Sequence, residues 1–418
     1  MSAGEQIVGS DPLLRAVFGA TFFVRFGFGI TLAVFATYIL GHPTGLSADD
    51  IGVVGWISAA APIGEFTTVI ASGIAADRYG RLRVLLWGLA AASVLMLLVA
   101  STRSPWALGG LNLAFGVSSG AILASSLAVV TDASAVQARG YAMGRFDAMN
   151  LLGWVLGFAV GFGVLGSVPP SKLFLVFLLG GAVLTIGYVL AYLLTRRAPR
   201  PPRLPSTQLG MLRTAILERE VLLVAFPWLV IYMLIGTVFV FLGTAAAAAG
   251  LPIRELAVLI GGGGLLLLVT QPVFGRMADR YGRLQLTLVG TAGFVGILVV
   301  AILLGTYGPR PLLLGLLGAS TLAALAYGPA ALASLGDLTH AYTRATTMSV
   351  YTLAISLGMI LGLLGSTTLL KYYGIPGLDV FFGLIAVALV VLTSIRVHDI
   401  RVGIAASPSI SSSPPSDR

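Results

Sequence analysis

Three charged residues interrupt apolar runs: Arg25 in Phe22-Phe23-Val24-Arg25-Phe26, Glu65 in Pro62-Ile63-Gly64-Glu65, and Asp147 in the run that begins at Tyr141. A charge at the middle of a bilayer costs about 2.5–3.5 kcal/mol on insertion scales, so it persists only with a partner or a task. Arg25 and Glu65 each lie about a dozen residues from one end of their runs, a depth of about 18 Å at 1.5 Å per residue, where the two could pair. Two chemistries are open to them. One is a structural Arg25–Glu65 salt bridge; the other is a cluster that binds substrate or carries a proton, with Asp147 as a shallower second acid.

The elements that would hold these residues are membrane spans. A chain of 418 residues that is 57% hydrophobic and 10% charged, with mean hydropathy +0.98, cannot hide its apolar surface in water-soluble domains. The net charge of +9 comes from basic residues dispersed through short loops, which argues against nucleic-acid binding. Without Cys there is no disulfide or thiolate site, and His42, His340 and His398 make no ligand cluster, so neither metal nor cofactor is expected. No nucleophile with a base, metal cluster or nucleotide loop suggests an enzyme; Gly261–Gly264 lies inside an apolar run with no Lys-Ser/Thr after it. The first eleven residues lack a signal-peptide pattern, so the first span is expected to be retained.

A bilayer core needs about 20 apolar residues per helix. The candidate spans are Val17–Leu40, Ile51–Ala75, Val84–Ala100, Ala107–Val130, Tyr141–Leu165 and Leu173–Leu194, then Val221–Leu242, Leu256–Phe274, Leu284–Leu304, Leu312–Leu335, Thr346–Leu370 and Leu378–Ile395. These runs are too long for barrel strands and do not alternate. The expected fold is an all-α integral membrane protein of twelve helices in two six-helix bundles. Its expected parts are residues 1–194, an arginine- and proline-rich linker at 195–220 with an amphipathic stretch from Leu209, residues 221–400, and a disordered Ser/Pro-rich tail at 401–418. With the termini and linker on one side, that side carries 19 of the 25 Lys and Arg, five lie opposite and Arg25 lies within a span, which predicts cytoplasmic termini in a plasma-membrane protein. No acid or base interrupts the central parts of spans seven to twelve, so coupling chemistry is expected in the first half.

The halves are related by sequence. Gly73-Ile-Ala-Ala-Asp77-Arg78-Tyr79-Gly80-Arg81-Leu82 returns as Gly275-Arg-Met-Ala-Asp279-Arg280-Tyr281-Gly282-Arg283-Leu284, eight of ten positions identical and 202 residues on. The first Gly admits a neighbouring helix, and the Asp can accept hydrogen bonds from the exposed N–H groups of another helix. Tyr-Gly makes the turn, and the arginines stay in water or among head groups. Asp132 and Arg139 recur as Asp337 and Arg344, offset by 205, as Gly153 and Gly157 recur as Gly358 and Gly362. These glycines, with Gly161, permit close packing, either as generic helix contacts or as a sliding surface at the seam between halves.

Twelve spans in two halves, a central linker, and G-x-x-x-D-R-x-G-R after the second and eighth spans resemble the major facilitator superfamily over roughly residues 12–400. The resemblance implies an alternating-access carrier with a cavity lined by spans one, four, seven and ten. It also implies that Asp77 and Asp279 latch the halves in the outward-open state, each reaching a helix end of the opposite half, with Arg81 or Arg139 and Arg283 or Arg344 as partners. The fifth span, Gly144-x8-Gly153-x3-Gly157-Phe158-x2-Gly161-Phe162, is similar to the antiporter signature of drug exporters, with Phe158 in place of its Pro and Phe162 in place of its last Gly. The span-four Arg of many proton-coupled exporters is absent, Asn112 and Gly116 standing in that region, and Thr195-Arg196-Arg197 stands where a sugar porter has its own motif.

In the second half, Trp228, Tyr232, Gln271 and Tyr327 are candidates for cavity lining as well as for packing. The resulting expectation is a monomeric, proton-coupled exporter of small hydrophobic or amphipathic compounds, with Arg25, Glu65, Asp147 and Asn112 at the coupling and substrate site. The alternatives are uptake of an organic anion or other polar solute, with Arg25 as anchor, and a non-transporting sensor or lipid-handling protein on the same scaffold.

Overall fold

The computed structural model describes residues 11–41, 51–135, 138–165, 167–196, 218–248, 266, 269–308, 310–338 and 344–406. The first half supplies α1 (Pro12–Gly41), α2 (Ile51–Tyr79), α3 (Arg81–Ser101), α4 (Pro105–Ala133), α5 (Arg139–Leu165) and α6 (Phe174–Thr195). The second supplies α7 (Arg219–Ala248), α8 (269–281), α9 (Arg283–Tyr307), α10 (Pro311–Ala324), α11 (Tyr327–Leu338) and α12 (Arg344–Ala406). No strand occurs among the described residues. Eleven stretches of these are long and apolar enough to cross a bilayer, and α8 belongs to the span that lies partly outside the described residues. Leu and Trp side chains that stay exposed, such as Leu312 and Trp106, face outward, as a lipid-facing surface requires.

Local sequence sets the helix boundaries. Ser104 caps α4 by accepting from the Ala107 N–H at 3.4 Å, with Pro105 at the first helical position. Both repeated turns reverse at a glycine of positive φ, Gly80 at 102° and Gly282 at 100°, a region open to residues without a Cβ. The chain of α12 likewise bends at Gly374, two residues before Pro376, so this helix is two spans, the eleventh and twelfth.

The tenth span departs from the expected continuous helix. It breaks between α10 and α11 at Leu325 and Ala326, four and three residues before Pro329. Pro329 has no N–H for the Leu325 carbonyl, and the Gln271 amide fills that place, donating to the carbonyl at 3.1 Å. At the other end of the half, α12 continues to Ala406, past the boundary expected at residue 400. Residues 197–217 of the linker expected at 195–220, residues 407–418 of the tail expected at 401–418, and Gly261–Gly264 lie outside the described residues.

Within the first half α1 packs on α5 and α6, and α4 on α2 and α3; in the second, α7 packs on α12 and α9 on α10. The halves meet where α12 crosses α2 and α4 and where α11 crosses α5. The glycine stripes belong to the first kind of contact, not the second. Gly153, Gly157 and Gly161 lie against Phe22, Phe26 and Ile30 of α1, and Gly358 and Gly362 lie against Leu229 and Met233 of α7. They close each half internally, where a side chain would meet backbone, and the sliding surface proposed for them at the seam is not where they sit.

Candidate coupling and substrate site

One group of candidate residues gathers at the turn end of the bundle. The Asp279 carboxylate accepts from the Gly140 and Tyr141 N–H groups, both at 2.9 Å, at the start of α5. These are first-turn donors that no carbonyl of their own helix can reach, and the helix dipole favours an anion there. The contact crosses the seam. Gly275 and Gly140 face each other at this crossing, so a side chain on either would strike the other helix's backbone. Arg139 adds a second cross-seam contact, donating to Asp337 at 2.5 Å, and Asp337 also pairs with Arg283. Arg283 in turn lies 3.7 Å from Asp279 and donates to the Ala333 carbonyl at 2.8 Å.

The equivalent group in the first half is Asp77, Arg81 and Asp132. Arg81 donates to Asp77 at 3.1 Å and pairs with Asp132. Gly73, four residues before Asp77, is buried. The side chain of Arg344, which would complete the symmetry, lies outside the described residues. Arg78 and Arg280 turn away from the latch and lie over the rings of Tyr79 and Tyr281, at 5.5 and 5.4 Å.

The second group lies deeper. Arg25 donates from Nε to the Asn150 Oδ1 at 2.8 Å and from Nη1 to the Ser119 Oγ at 3.5 Å, with its guanidinium 5.6 Å from the Trp154 ring centroid. The Glu65 carboxyl meets the hydroxyls of Ser119 and Ser356, and the Asp147 carboxyl meets the Asn150 side chain. Arg25 and Glu65 therefore do not form the direct ion pair that their depths allow; Ser119 stands between them. The result is a polar chain Glu65–Ser119–Arg25–Asn150–Asp147 across the first half, every member buried.

Both ends of that chain touch the second half. Glu65 reaches Ser356 on α12. Asp147 lies against Gly328 on α11, so closely that a side chain there would overlap it, with the Gln271 side chain at the same place. The tyrosine pair Tyr232 and Tyr351, hydrogen-bonded to each other, lies within electrostatic range of Asp147 and Arg25.

The other candidates lie elsewhere. Asn112 donates to the Ile57 carbonyl at 2.9 Å and stands seven residues before Ser119 on α4, about 10 Å along the helix from the chain. Tyr327 packs inside the second half against Gly290, Phe294 and Trp228, and Trp228 fills the space between Tyr327 and Tyr351, at centroid distances of 5.1 and 5.0 Å. Gln271 holds the broken tenth span. Of the four aromatic and amide candidates, Gln271 lies beside the Asp147 end of the polar chain and Tyr232 lies within electrostatic range of it. Ser119, Asn150 and Ser356 were missed from sequence, since Ser is common in packed spans; Asn150, a second polar residue one turn after Asp147, carried the readable signal.

The sequence matches the Major Facilitator Superfamily over residues 17–259 and again over 229–409. No curated protein sequence matches. Among solved structures, the human organic anion transporter MFSD10 (TETRAN) superposes with a TM-score of 0.75 at 16% identity, over 95% of this chain and 100% of that one. The proton:xylose symporter XylE, bound to 6-bromo-6-deoxy-D-glucose, superposes with a TM-score of 0.73 at 14% identity, over 91% and 94%. At such identities the likeness is one of fold.

Proposed function

The chain belongs to the major facilitator superfamily and is a multi-pass membrane transporter, and from that premise we propose that it is a proton-coupled secondary carrier that exports small hydrophobic or amphipathic compounds by alternating access. The observation that carries this reading is the contact of the buried Glu65 carboxyl with Ser356 of the other half. The Ser356 hydroxyl has one proton and two acceptors in reach, the Thr352 carbonyl at 3.0 Å and the Glu65 carboxyl. An ionised Glu65 accepts that proton across the seam; a protonated Glu65 leaves it to the carbonyl. The Ser119 hydroxyl, accepting from Arg25, keeps its own proton for Glu65.

The protonation state of Glu65 and the contact between the halves are thereby linked. When the halves part, Glu65 loses Ser356 and Asp147 loses its place against Gly328, while Arg25, Ser119 and Asn150 stay with the first half. The proton affinity of each acid then depends on which side of the membrane the site faces, which is the differential interaction that coupling needs. Toward the second half the chain meets Tyr232, Tyr351 and Ser356, a surface suited to rings and apolar bodies rather than to a densely polar solute.

In this reading the bundles are residues 1–194 and 221–400, joined by a cytoplasmic linker at 195–220 and followed by a cytoplasmic tail at 401–418. The carrier acts as a monomer in the plasma membrane with both termini inside. The latch of Asp279 on α5 then closes the cytoplasmic side, with Asp77 as its counterpart. A second reading, transport of an organic anion, is favoured by the partners of Arg25: Asn150 and Ser119 are both neutral, so no contact ion pair cancels its charge. The similarity of fold to MFSD10 is compatible with it. A thermal-shift series on the purified protein with lipophilic cations, sugars and organic anions separates the two, because a ligand that binds the folded state raises its apparent stability. Stabilisation by cations or neutral amphiphiles supports export; stabilisation by organic anions alone, lost in Arg25→Ala, replaces it with the second reading.

A further inference from the structure

Where the Asp147 end of the polar chain meets the second half, two hydrogen-bond acceptors face each other. The Gln271 side chain, 1% exposed, gives an amide N–H to the Leu325 carbonyl at 3.1 Å, a carbonyl left open because Pro329, four residues on, has no N–H. A carbonyl only accepts, so the Gln271 Nε2 points to it and the Oε1 points the other way. That oxygen is buried and has no hydrogen-bond partner. It lies toward Asp147: a Cβ at Gly328 would overlap the Asp147 Oδ2 and stand 3.7 Å from the Gln271 Oε1. The Asn150 oxygen is taken by the Arg25 Nε, so Asn150 meets the Asp147 carboxyl with its NH2 group. An ionised Asp147 thus has a donor on its first-half side and an amide oxygen on its second-half side.

We infer that Gln271 is the hydrogen-bond acceptor of a protonated Asp147, and that Pro329, by opening the Leu325 carbonyl, holds the Gln271 amide the right way round for it. A proton on Asp147 turns two facing acceptors into a hydrogen bond across the seam from α5 to α8. Loss of that proton leaves a buried amide oxygen unpaired beside a carboxylate, which is costly. The amide cannot turn its N–H groups toward the carboxylate without abandoning the Leu325 carbonyl, so the proton and the break in the tenth span are held together. Gln271 and Pro329 are positioning residues, acting on a proton that Asp147 carries. The charged and titratable groups around Asp147 are Arg25 of α1, reached through Asn150, Glu65 of α2 farther along the chain, Tyr232 of α7 and Tyr351 of α12. On α5 itself Arg145 turns to the Phe18 ring, and on α8 and α11 Arg276 lies over the Tyr141 ring while Asp279 and Asp337 belong to the latch. The use of this bond in transport rests on the proton-coupled reading: the closed seam holds the proton on Asp147, and parting of the halves at the turn end releases it.

The hydrogen bond is tested without transport, so its failure and failure of the proton-coupled reading are separable. In the purified full-length protein, the infrared carbonyl band of a protonated carboxyl that is missing in Asp147→Asn follows the titration of Asp147. Gln271→Met, which keeps the length and removes both amide groups, should lower the midpoint by at least about one pH unit, a tenfold loss of proton affinity. Pro329→Ala returns an N–H to the Leu325 carbonyl and lets the amide turn, so it too should lower the midpoint, although it removes no polar group from either side chain. In the Gln271→Met background Pro329→Ala should add nothing. A midpoint that rises in Gln271→Met would show the amide donating to the carboxylate and overturns the inference. An unchanged midpoint in either single variant overturns it too, as does the absence of any band assignable to Asp147. If Gln271→Met does not fold, Pro329→Ala against the parent decides the matter.

Discussion

The carboxylate of Asp279 holds the backbone N–H of Gly140 at 2.9 Å, tying the repeated turn of the second half to the first turn of a helix in the other. The same carboxylate takes the next N–H, of Tyr141, at 2.9 Å. An anion on the first turn of a helix is favoured by the unpaired donors and by the dipole together. These bonds exist only while the halves are closed at this end, so they bias the conformational equilibrium directly.

Asp279→Asn keeps an acceptor but removes the charge, and should weaken closure by about 1–2 kcal/mol, a roughly five- to thirtyfold change in the ratio of the two states. In this Cys-free chain, single cysteines placed in the two vestibules report the shift by their labelling rates. Labelling should rise on the turn side and fall on the other. Unchanged ratios with reduced yield would assign Asp279 a folding role only.

The glycine stripes should behave differently. Gly157 and Gly362 meet the backbones of α1 and α7 within their own halves, so Gly157→Ala or Gly362→Ala should cost roughly 1–3 kcal/mol of stability through overpacking. The ratio of vestibule labelling should stay that of the parent. A shifted ratio at unchanged melting temperature would restore the sliding role.

Gln271 and Pro329 should be energetically coupled. Gln271→Ala leaves the Leu325 carbonyl without a donor and should cost about 1–3 kcal/mol. Pro329→Ala in that background restores an N–H four residues on, and should recover part of the loss even though Pro329→Ala alone leaves the tenth span less sharply broken. Additive effects in the double-mutant cycle would show that the amide serves some other purpose.

The sequence carried the scaffold more fully than the site. Twelve apolar runs and a ten-residue repeat define the spans and turns because membrane burial and the Gly80 and Gly282 reversals are local demands. The Asp279 contact was readable as well, since an Asp at a span end has one common use. The break at Leu325 was not, because whether a Pro inside an apolar run bends, kinks or breaks it depends on what takes the freed carbonyl, and Gln271 lies 54 residues away. Arg25 and Glu65 were visible as costly charges, but the links between them are Ser119, Asn150 and Ser356, whose types do not stand out in a span. Depth along two helices fixed that Arg25 and Glu65 were near; only the azimuth of each helix decides that a serine stands between them.

Ser356→Ala removes the hydroxyl that meets Glu65 across the seam. The variant should fold, since the serine also has a carbonyl of its own helix as partner, and it should move the pH dependence of transport toward the alkaline side because the ionised carboxyl loses a cross-seam donor. Ser356→Thr, which retains the oxygen, should return the profile toward that of the parent. An unchanged profile in Ser356→Ala would leave Glu65 without its partner in the second half.

The central claim is that Glu65 carries the coupled proton, and transport into proteoliposomes under an imposed pH gradient tests it most directly. The parent should accumulate substrate against its gradient, and Glu65→Gln should lose that accumulation while exchange of labelled for unlabelled substrate at uniform pH stays measurable. Accumulation by Glu65→Gln equal to that of the parent contradicts the account and moves the proton to Asp147; if Asp147→Asn is also driven by pH, the polar chain is not the coupling site.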